Sequence, residues 1–301
     1  MTDSRPLDAP AYAALPDPMK EAIAVAWRED IGSGDITSAA CVPQDAREAA
    51  GFLVKGEGVL AGLAVAEAVF AYGAPQVAFH RMAEDGDRVS PGVVVARVEG
   101  SAAQILTAER LALNFMQRMS GVASATRLAV EALEGTPTRV LDTRKTTPGL
   151  RLFEKQAVVI GGGVNHRMGL YDQVLIKDNH IDYAGSVRDA VDGAHRHLKA
   201  VSRPVPLVVE VRDMTEVRAA LDAGGVDRLL LDNFTPDEAK EAVDWIAGRV
   251  PTEASGGLTP DTVRAYGLAG VDFVSLGWLT HSPASLDISL KSAAALAALQ
   301  A

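Results

Sequence analysis

Six cations crowd one short stretch of this chain. Residues 144 to 177 hold Arg144, Lys145, Arg151, Lys155, Arg167 and Lys177 against two carboxylates, Glu154 and Asp172, an excess of four positive charges in a chain of formal net charge −10. Arg144 and Lys177 end apolar, strand-like runs, Arg139-Val-Leu-Asp-Thr-Arg144 and Asp172-Gln-Val-Leu-Ile-Lys177. A cation at the end of a buried strand is costly unless it meets an anion. The simplest such anion is a substrate with several carboxylates or phosphates: the guanidinium fork suits a planar carboxylate, and Lys serves phosphate as a point charge. The plainer alternative pairs Arg144 and Lys145 with Asp142 or Glu154 on the surface, where such pairs contribute little. The strand-end positions speak against it.

Two carboxylates end later apolar runs, Glu210 in Leu207-Val-Val-Glu210 and Asp232 in Leu229-Leu-Leu-Asp232. Each could cap a helix. Beside a phosphate-rich substrate they would instead hold Mg²⁺ or ribose hydroxyls, because Mg²⁺ takes few protein ligands in addition to substrate phosphates. Asn233 adds a neutral hydrogen-bonding group. The last two runs end in small residues, Ser255-Gly256-Gly257 and Ser275-Leu276-Gly277. Glycine lets backbone N–H groups come close to a phosphate, and barrels often seat phosphate on the loops of their last strands, against a helix N-terminus. An ordinary tight turn is the competing reading of either motif.

The elements that must position these groups recur along the second half. Apolar runs span residues 139–144, 172–177, 206–211, 228–233, 252–257 and 272–277. Their end markers Arg144, Lys177, Glu210, Asp232, Ser255 and Gly277 are 33, 33, 22, 23 and 22 residues apart. That is the length of a strand, a helix and two loops, and alanine-rich segments such as Met214–Ala223 and Pro236–Ala247 fill the gaps. Continuous apolar strands alternating with helices imply a parallel sheet covered by helices. Polar groups at successive strand ends mark the active face of a (β/α) barrel, but a full barrel needs about 250 residues and only about 150 remain here. An incomplete barrel is therefore expected, with a doubly wound sheet as the alternative.

The first half reads differently. An irregular arm over residues 1–20 leads to a helix near residues 18–30, and residues 47–100 are rich in short strands with a helix at 63–72. Residues 101–133 predict a long helix, with a break expected at Gly121. Leu286-Asp-Ile-Ser-Leu290 alternates like an edge strand and is expected to return to the N-terminal domain. The domains are thus drawn at 1–120, with the tail 284–301, and at 121–283.

Several functional classes are disfavoured. The acidic balance, with a pI near 5.1, argues against general nucleic-acid binding. The single cysteine, Cys41, rules out an intrachain disulfide and a cysteine metal cluster. No apolar run reaches membrane-spanning length and no basic-then-apolar leader opens the chain, so a cytoplasmic enzyme is expected. Gly161-Gly162-Gly163 lacks dinucleotide spacing. His195 and His197 belong to a polar helix and read as solvated. Asp85–Gly92 has the look of a lipoyl hairpin, yet no lysine lies between Arg81 and Gly100 to carry the group.

Taken together, Glu29-Asp-Ile-Gly-Ser-Gly-Asp-Ile-Thr37, Thr107-Ala-Glu-Arg-Leu-Ala-Leu-Asn114, Asp142-Thr-Arg-Lys-Thr-Thr-Pro-Gly149, Asn165-His-Arg167, Leu175-Ile-Lys-Asp-Asn-His180, Leu231-Asp-Asn233 and Leu279-Thr-His-Ser282 resemble the quinolinate phosphoribosyltransferase family, nearly from end to end. The resemblance implies an N-terminal α/β sandwich, a C-terminal incomplete α/β barrel and a homodimer in which Arg110 reaches the partner's site. It implies transfer of phosphoribosyl from phosphoribosyl pyrophosphate to quinolinate with loss of CO₂, as part of NAD biosynthesis. Carried over by position, Arg110, Arg144, His166, Arg167 and Lys177 would surround quinolinate. Thr143, Lys145, Glu210, Asp232, Ser255, Gly256, Gly257, Ser275, Leu276, Gly277 and His281 would complete the substrate-binding set with phosphoribosyl pyrophosphate. Lys145, Glu210 and Asp232 would be catalytic, with Glu210 and Asp232 toward Mg²⁺, directly or through water. Rival readings are a phosphoribosyltransferase-like relative from molybdenum-transport gene clusters, a Schiff-base barrel lyase using Lys145 or Lys177, and a metabolite-binding regulator without turnover.

Overall fold

A computed structural model describes residues 10–300. Its strands run in chain order as β1 (Arg47–Val54), β2 (Gly58–Val59), β3 (Val77–Arg81), β4 (Arg88–Val89), β5 (Val94–Ser101), β6 (Arg139–Leu141), β7 (Val174–Ile176), β8 (Leu207–Val211), β9 (Arg228–Asp232), β10 (Thr252–Ser255), β11 (Phe273–Ser275) and β12 (Ile288–Ser292). Two compact units emerge. One comprises the chain up to Ser124, Thr147–Gly161 and the chain from Pro283; the other comprises Ala125–Thr146 and Gly162–Ser282. The break expected at residue 120 thus falls at Ser124, inside the helix Ala102–Ala132, and residues 147–161 join the N-terminal unit.

The N-terminal unit is built on an antiparallel sheet of order β12-β1-β5-β3. Phe52 on β1, Phe70 on the helix Leu63–Gly73 and Phe79 on β3 form its aromatic centre, with ring centroids 5.7, 5.8 and 6.1 Å apart. The tail does return here: β12 pairs antiparallel with β1 as an edge strand. Two bonds steer it there, Leu286 N–H to Gln117 O at 3.0 Å and Gln117 Nε2 to Ile288 O at 2.6 Å. This docking also explains why no break occurs at Gly121. A Cβ at that position would strike the carbonyl oxygen of Ala284, so the glycine serves close approach of the tail to an unbroken helix. Of the irregular arm, residues 1–9 lie outside the described residues; the remainder contains the short helix Pro10–Ala13, and the next helix is Asp17–Ile31. The lipoyl-like turn is structural, for Asp85 Oδ1 accepts the Leu63 N–H at 2.9 Å, and β4 pairs with β2.

The C-terminal unit is a six-stranded parallel sheet of order β6-β11-β10-β9-β8-β7. Strands β7 to β11 neighbour one another in sequence order, and β11 then joins β6. Only the join between β6 and β7 is missing, so the ring is an incomplete barrel with one open seam. The segment after Gly163 occupies that seam on the β6 side. Val164 bridges to Leu141, its N–H donating to Val140 O at 2.8 Å and its carbonyl accepting from Asp142 N at 3.2 Å. Residues 165–167 are thereby delivered to the C-terminal ends of the strands. Among the described residues, no helix is long and apolar enough to cross a membrane.

Candidate active site

Alternate residues of a strand share a face, and in this barrel the inward face carries the polar groups that line a cavity. On β9 it presents Arg228, Leu230 and Asp232, and on β10 Glu253 and Ser255. Register places Glu253 beside Leu230, and Ser255 beside Asp232. A cavity of about 570 Å³ opens at the C-terminal ends, lined by Thr143, Arg144, Lys145, His166, Arg167, Leu175, Lys177, Glu210, Leu230, Asp232, Asn233, Glu253, Ser255, Gly256, Gly257 and Ser275. A smaller hollow continues past Thr143 and Lys145 to Leu258, Thr259, Gly277, Trp278 and His281.

The loop after β6 is held at three points. Asp142, fully buried, accepts the His166 N–H at 2.8 Å. Thr143 Oγ1 accepts the Lys145 N–H at 3.0 Å, and Thr280 Oγ1 donates to Lys145 O at 2.7 Å. Arg144 and Lys145 therefore sit on a clamped backbone with exposed side chains. Lys177 opens the helix Asp178–Ala184, and its Nζ reaches Glu210 Oε2 at 2.9 Å. Burial, most of all, pushes the Glu210 carboxyl up; the Lys177 contact pulls it down, and Asp232 adds repulsion. Arg167 is lowered from its ordinary value by burial first and then by Arg144, while Asp172 and Glu210 oppose.

The acidic and glycine edge is shaped by backbone geometry. Asn233 adopts φ +58°, a left-handed conformation that Asn tolerates better than most residues, and its Nδ2 donates to Asp232 Oδ2 at 2.8 Å. Gly256, at φ +108°, passes so close that a Cβ would collide with the Asn233 carboxamide oxygen. At Gly277 a Cβ would come within 2.7 Å of Lys145 Cδ.

Most of the residues singled out in the sequence converge here. Thr143, Arg144, Lys145, His166, Arg167, Lys177, Glu210, Asp232, Ser255, Gly256, Gly257 and Ser275 line the main cavity, with Gly277 and His281 in the adjoining hollow. Leu276 is not brought to either surface: its side chain is fully buried and its N–H bonds to Leu141 O at 3.1 Å, tying β11 to β6. Arg110 is an exposed residue of the helix Ala102–Ala132 in the N-terminal unit. Arg151 and Lys155, counted in the local charge excess, belong to the helix Arg151–Ile160 of that unit rather than to the cavity.

Glu253 is the charged lining residue that sequence reasoning passed over, beside the apolar Leu175 and Leu230. It is fully buried, receives Arg228 Nη1 on Oε2 at 2.9 Å, and faces His166 Nε2 across 3.4 Å at Oε1. Arg228 in turn stacks over the Phe273 ring at 4.8 Å. Burial works to raise the Glu253 carboxyl, but His166, Arg228 and Ser275 outweigh it and hold it below the usual range. A charged residue inside the run Thr252-Glu-Ala-Ser255 was the available signal, since such a residue in a buried strand needs a partner.

The donor set also fits a magnesium ion. Glu210 and Asp232 are two carboxylates of one cavity, the number Mg²⁺ takes from protein when substrate phosphates supply the rest. Among the described residues no group of three or more His, Cys, Asp or Glu is arranged as an all-protein metal centre.

Comparison with known proteins gives this cavity its relatives. Residues 35–120 match the N-terminal domain of quinolinate phosphoribosyl transferase, and residues 122–291 match its C-terminal domain. A chloroplastic nicotinate-nucleotide pyrophosphorylase (carboxylating) of Arabidopsis thaliana is 46% identical over 288 residues, covering 91% of this chain and 82% of that protein. A mitochondrial quinolinate phosphoribosyltransferase (decarboxylating) of Nicotiana tabacum is 44% identical over the same length, again 91% of this chain and 82% of the relative. The crystal structure of NadC from Streptococcus pyogenes superposes with a TM-score of 0.87 at 41% identity, over 92% of this chain and 96% of that one. With both domains matched in order and at these identities, the chain belongs to the quinolinate phosphoribosyl transferase family.

Proposed function

We propose that this protein transfers the phosphoribosyl group of phosphoribosyl pyrophosphate to quinolinate and releases pyrophosphate and CO₂, leaving nicotinate mononucleotide for NAD biosynthesis. The observation that carries the reading is one cavity that gathers four cations, Arg144, Lys145, Arg167 and Lys177, together with the carboxylates Glu210 and Asp232. Quinolinate brings two adjacent carboxylates to the cations, and the ribose hydroxyls of the donor meet Glu210 and Asp232.

Arg144, Arg167 and Lys177 hold the dicarboxylate and orient its ring nitrogen toward the anomeric carbon. As the C–N bond forms, the bond from that carbon to pyrophosphate breaks through a transition state with oxocarbenium character. Lys145 stabilises the charge gathering on the leaving group, an electrostatic role of the kind that dominates such transfers. Glu210 and Asp232 hold the ribose hydroxyls and would hold Mg²⁺, which when bound neutralises pyrophosphate oxygens. The Ser255–Gly257 and Ser275–Gly277 turns receive the donor's phosphates. Once the ring nitrogen is quaternary it accepts electron density; the 2-carboxylate leaves as CO₂, its bonding pair stays on C2 beside the positive nitrogen, and a proton replaces it.

Every cation lining the cavity comes from the C-terminal unit, whereas Arg110 stands exposed on the N-terminal unit. The same proposal therefore includes a homodimer in which Arg110 completes the partner's site. Mixing inactive Arg110→Ala and Lys145→Ala proteins should restore about a quarter of wild-type activity after subunit exchange, one live site in each heterodimer of a random mixture. No recovery after verified exchange would remove Arg110 from a shared site. The reaction itself is tested by incubating the protein with quinolinate, phosphoribosyl pyrophosphate and Mg²⁺, and measuring nicotinate mononucleotide and CO₂. Equal amounts of the two support the reading; neither product from the folded protein refutes it.

A further inference from the structure

We propose that Glu253 is a positioning residue: through the His166 ring it fixes the seam segment from which Arg167 reaches the substrate acid. A fully buried glutamate at the middle of a barrel strand is costly to ionise and is retained only where partners compensate it. Arg228 satisfies Oε2 at 2.9 Å. Oε1 has no hydrogen bond within standard limits among the described residues, and it faces His166 Nε2 at 3.4 Å. One oxygen is thus anchored to the barrel floor while the other is aimed at the seam.

His166 is gripped from three directions. Its N–H donates to the buried carboxylate of Asp142 at 2.8 Å. Its Nδ1 accepts the Arg167 N–H at 2.7 Å. An Nδ1 that accepts has no proton to donate, so the ring hydrogen belongs on Nε2, toward Glu253, because the bond at one ring nitrogen sets the state of the other. Nδ1 is then engaged by the Arg167 N–H, and Nε2–H is turned toward Glu253 Oε1, 3.4 Å away. His166 lines the cavity with its ring oriented by Glu253. The Arg167 backbone hangs on that ring, and the far end of its side chain is steadied by Nη1 to Gln173 O at 3.3 Å. Two buried carboxylates, Asp142 just past the end of β6 on the backbone and Glu253 within β10 on the ring, thus hold the segment that occupies the open seam of the barrel. The ladder bonds to β6 end at Val164, and beyond it side chains take over.

The kinetic consequence rests on the reading that Arg167 binds the quinolinate carboxylates. Its structural basis does not, and the two are tested separately. In wild-type protein labelled with ¹⁵N-histidine and free of substrate, with His166 assigned from the signal lost in His166→Gln, the ring should be the Nε2–H form with a hydrogen-bonded, unprotonated Nδ1. A proton on Nδ1, or rapid exchange between the two forms, overturns the proposal without any variant needing to fold. In Glu253→Gln, the KM for quinolinate should rise about tenfold, the size of one lost charge-assisted hydrogen bond, while the KM for phosphoribosyl pyrophosphate stays within about twofold. Equal rises in both constants, or a fall in kcat alone, would mark Glu253 as general scaffolding and overturn the role. Protein inactive on quinolinate yet showing the Nε2–H ring would refute the functional reading and leave the relay standing.

Discussion

Glu154 and Glu210 are both buried carboxylates, one in each unit, and they are held in opposite ways. Glu154 is saturated: Arg118 Nε and Nη2 donate to Oε1 at 2.9 and 2.7 Å, Thr147 Oγ1 adds a third bond there at 2.7 Å, and the Thr147 N–H takes Oε2 at 2.9 Å. Glu210 has one ion-pair partner, Lys177, and repulsion from Asp232. A saturated buried charge has nothing left to offer a ligand and serves the fold. A sparsely partnered one at a cavity wall keeps acceptor capacity to offer. On the proposed function, an incoming substrate carboxylate would compete with Glu210 for Lys177.

The largest effect is expected among the cations of the cavity. Arg144→Ala should lower kcat/KM by about a thousandfold or more, in line with losing a directed charge from a site, with unchanged circular dichroism and melting temperature. Activity within a few-fold of wild type would remove Arg144 from the chemistry. Glu154→Ala should act in the other currency. It removes the carboxylate partner of Arg118 and should cost about 3 kcal/mol of stability, read by denaturant unfolding, while protein that remains folded keeps its KM values.

A pH profile sharpens the comparison further. Because burial raises the Glu210 carboxyl, its ionised form is gained only at higher pH than for an ordinary glutamate. The acid limb of kcat/KM should therefore lie above the usual carboxylate range, with activity rising as pH rises through it. Lys177→Met removes the opposing pull and should shift that limb further upward, beside weakening quinolinate binding. A limb that stays in place in this variant would show that another group titrates. The smallest expected effect is at Gly277. Its φ of −63° suits alanine, but the new Cβ would meet Lys145 Cδ at 2.7 Å. Displacing that side chain should reduce kcat/KM by up to about tenfold, with stability preserved. A loss of stability instead would point to packing.

Much of this was legible because barrel chemistry sits at strand ends, and strand ends are visible as polar residues closing apolar runs. All six runs became parallel strands, each shorter than its run by one to three residues at one or both ends. What the sequence hid depended on distance in space. Arg151 and Lys155 are near Arg144 along the chain, yet the polypeptide carries them into the other unit. Gly121 read as a helix break, but its purpose is set by Ala284, far away in sequence. Glu253 lay inside an apolar run rather than at its end, and its partners Arg228 and His166 come from a neighbouring strand and from the open seam. Leu276 was gathered with its small neighbours, although alternation along a strand turns every second residue away from the cavity.

The central claim is that the cations of the cavity read two carboxylates while Glu210 and Asp232 handle the donor. Pyrophosphate release with phosphoribosyl pyrophosphate and Mg²⁺, measured in parallel with quinolinate and with nicotinate, tests it most directly. Release with quinolinate and none above background with nicotinate, which lacks the 2-carboxylate, is the predicted result. Equal release with the two acids, or none with either from folded protein, would contradict it.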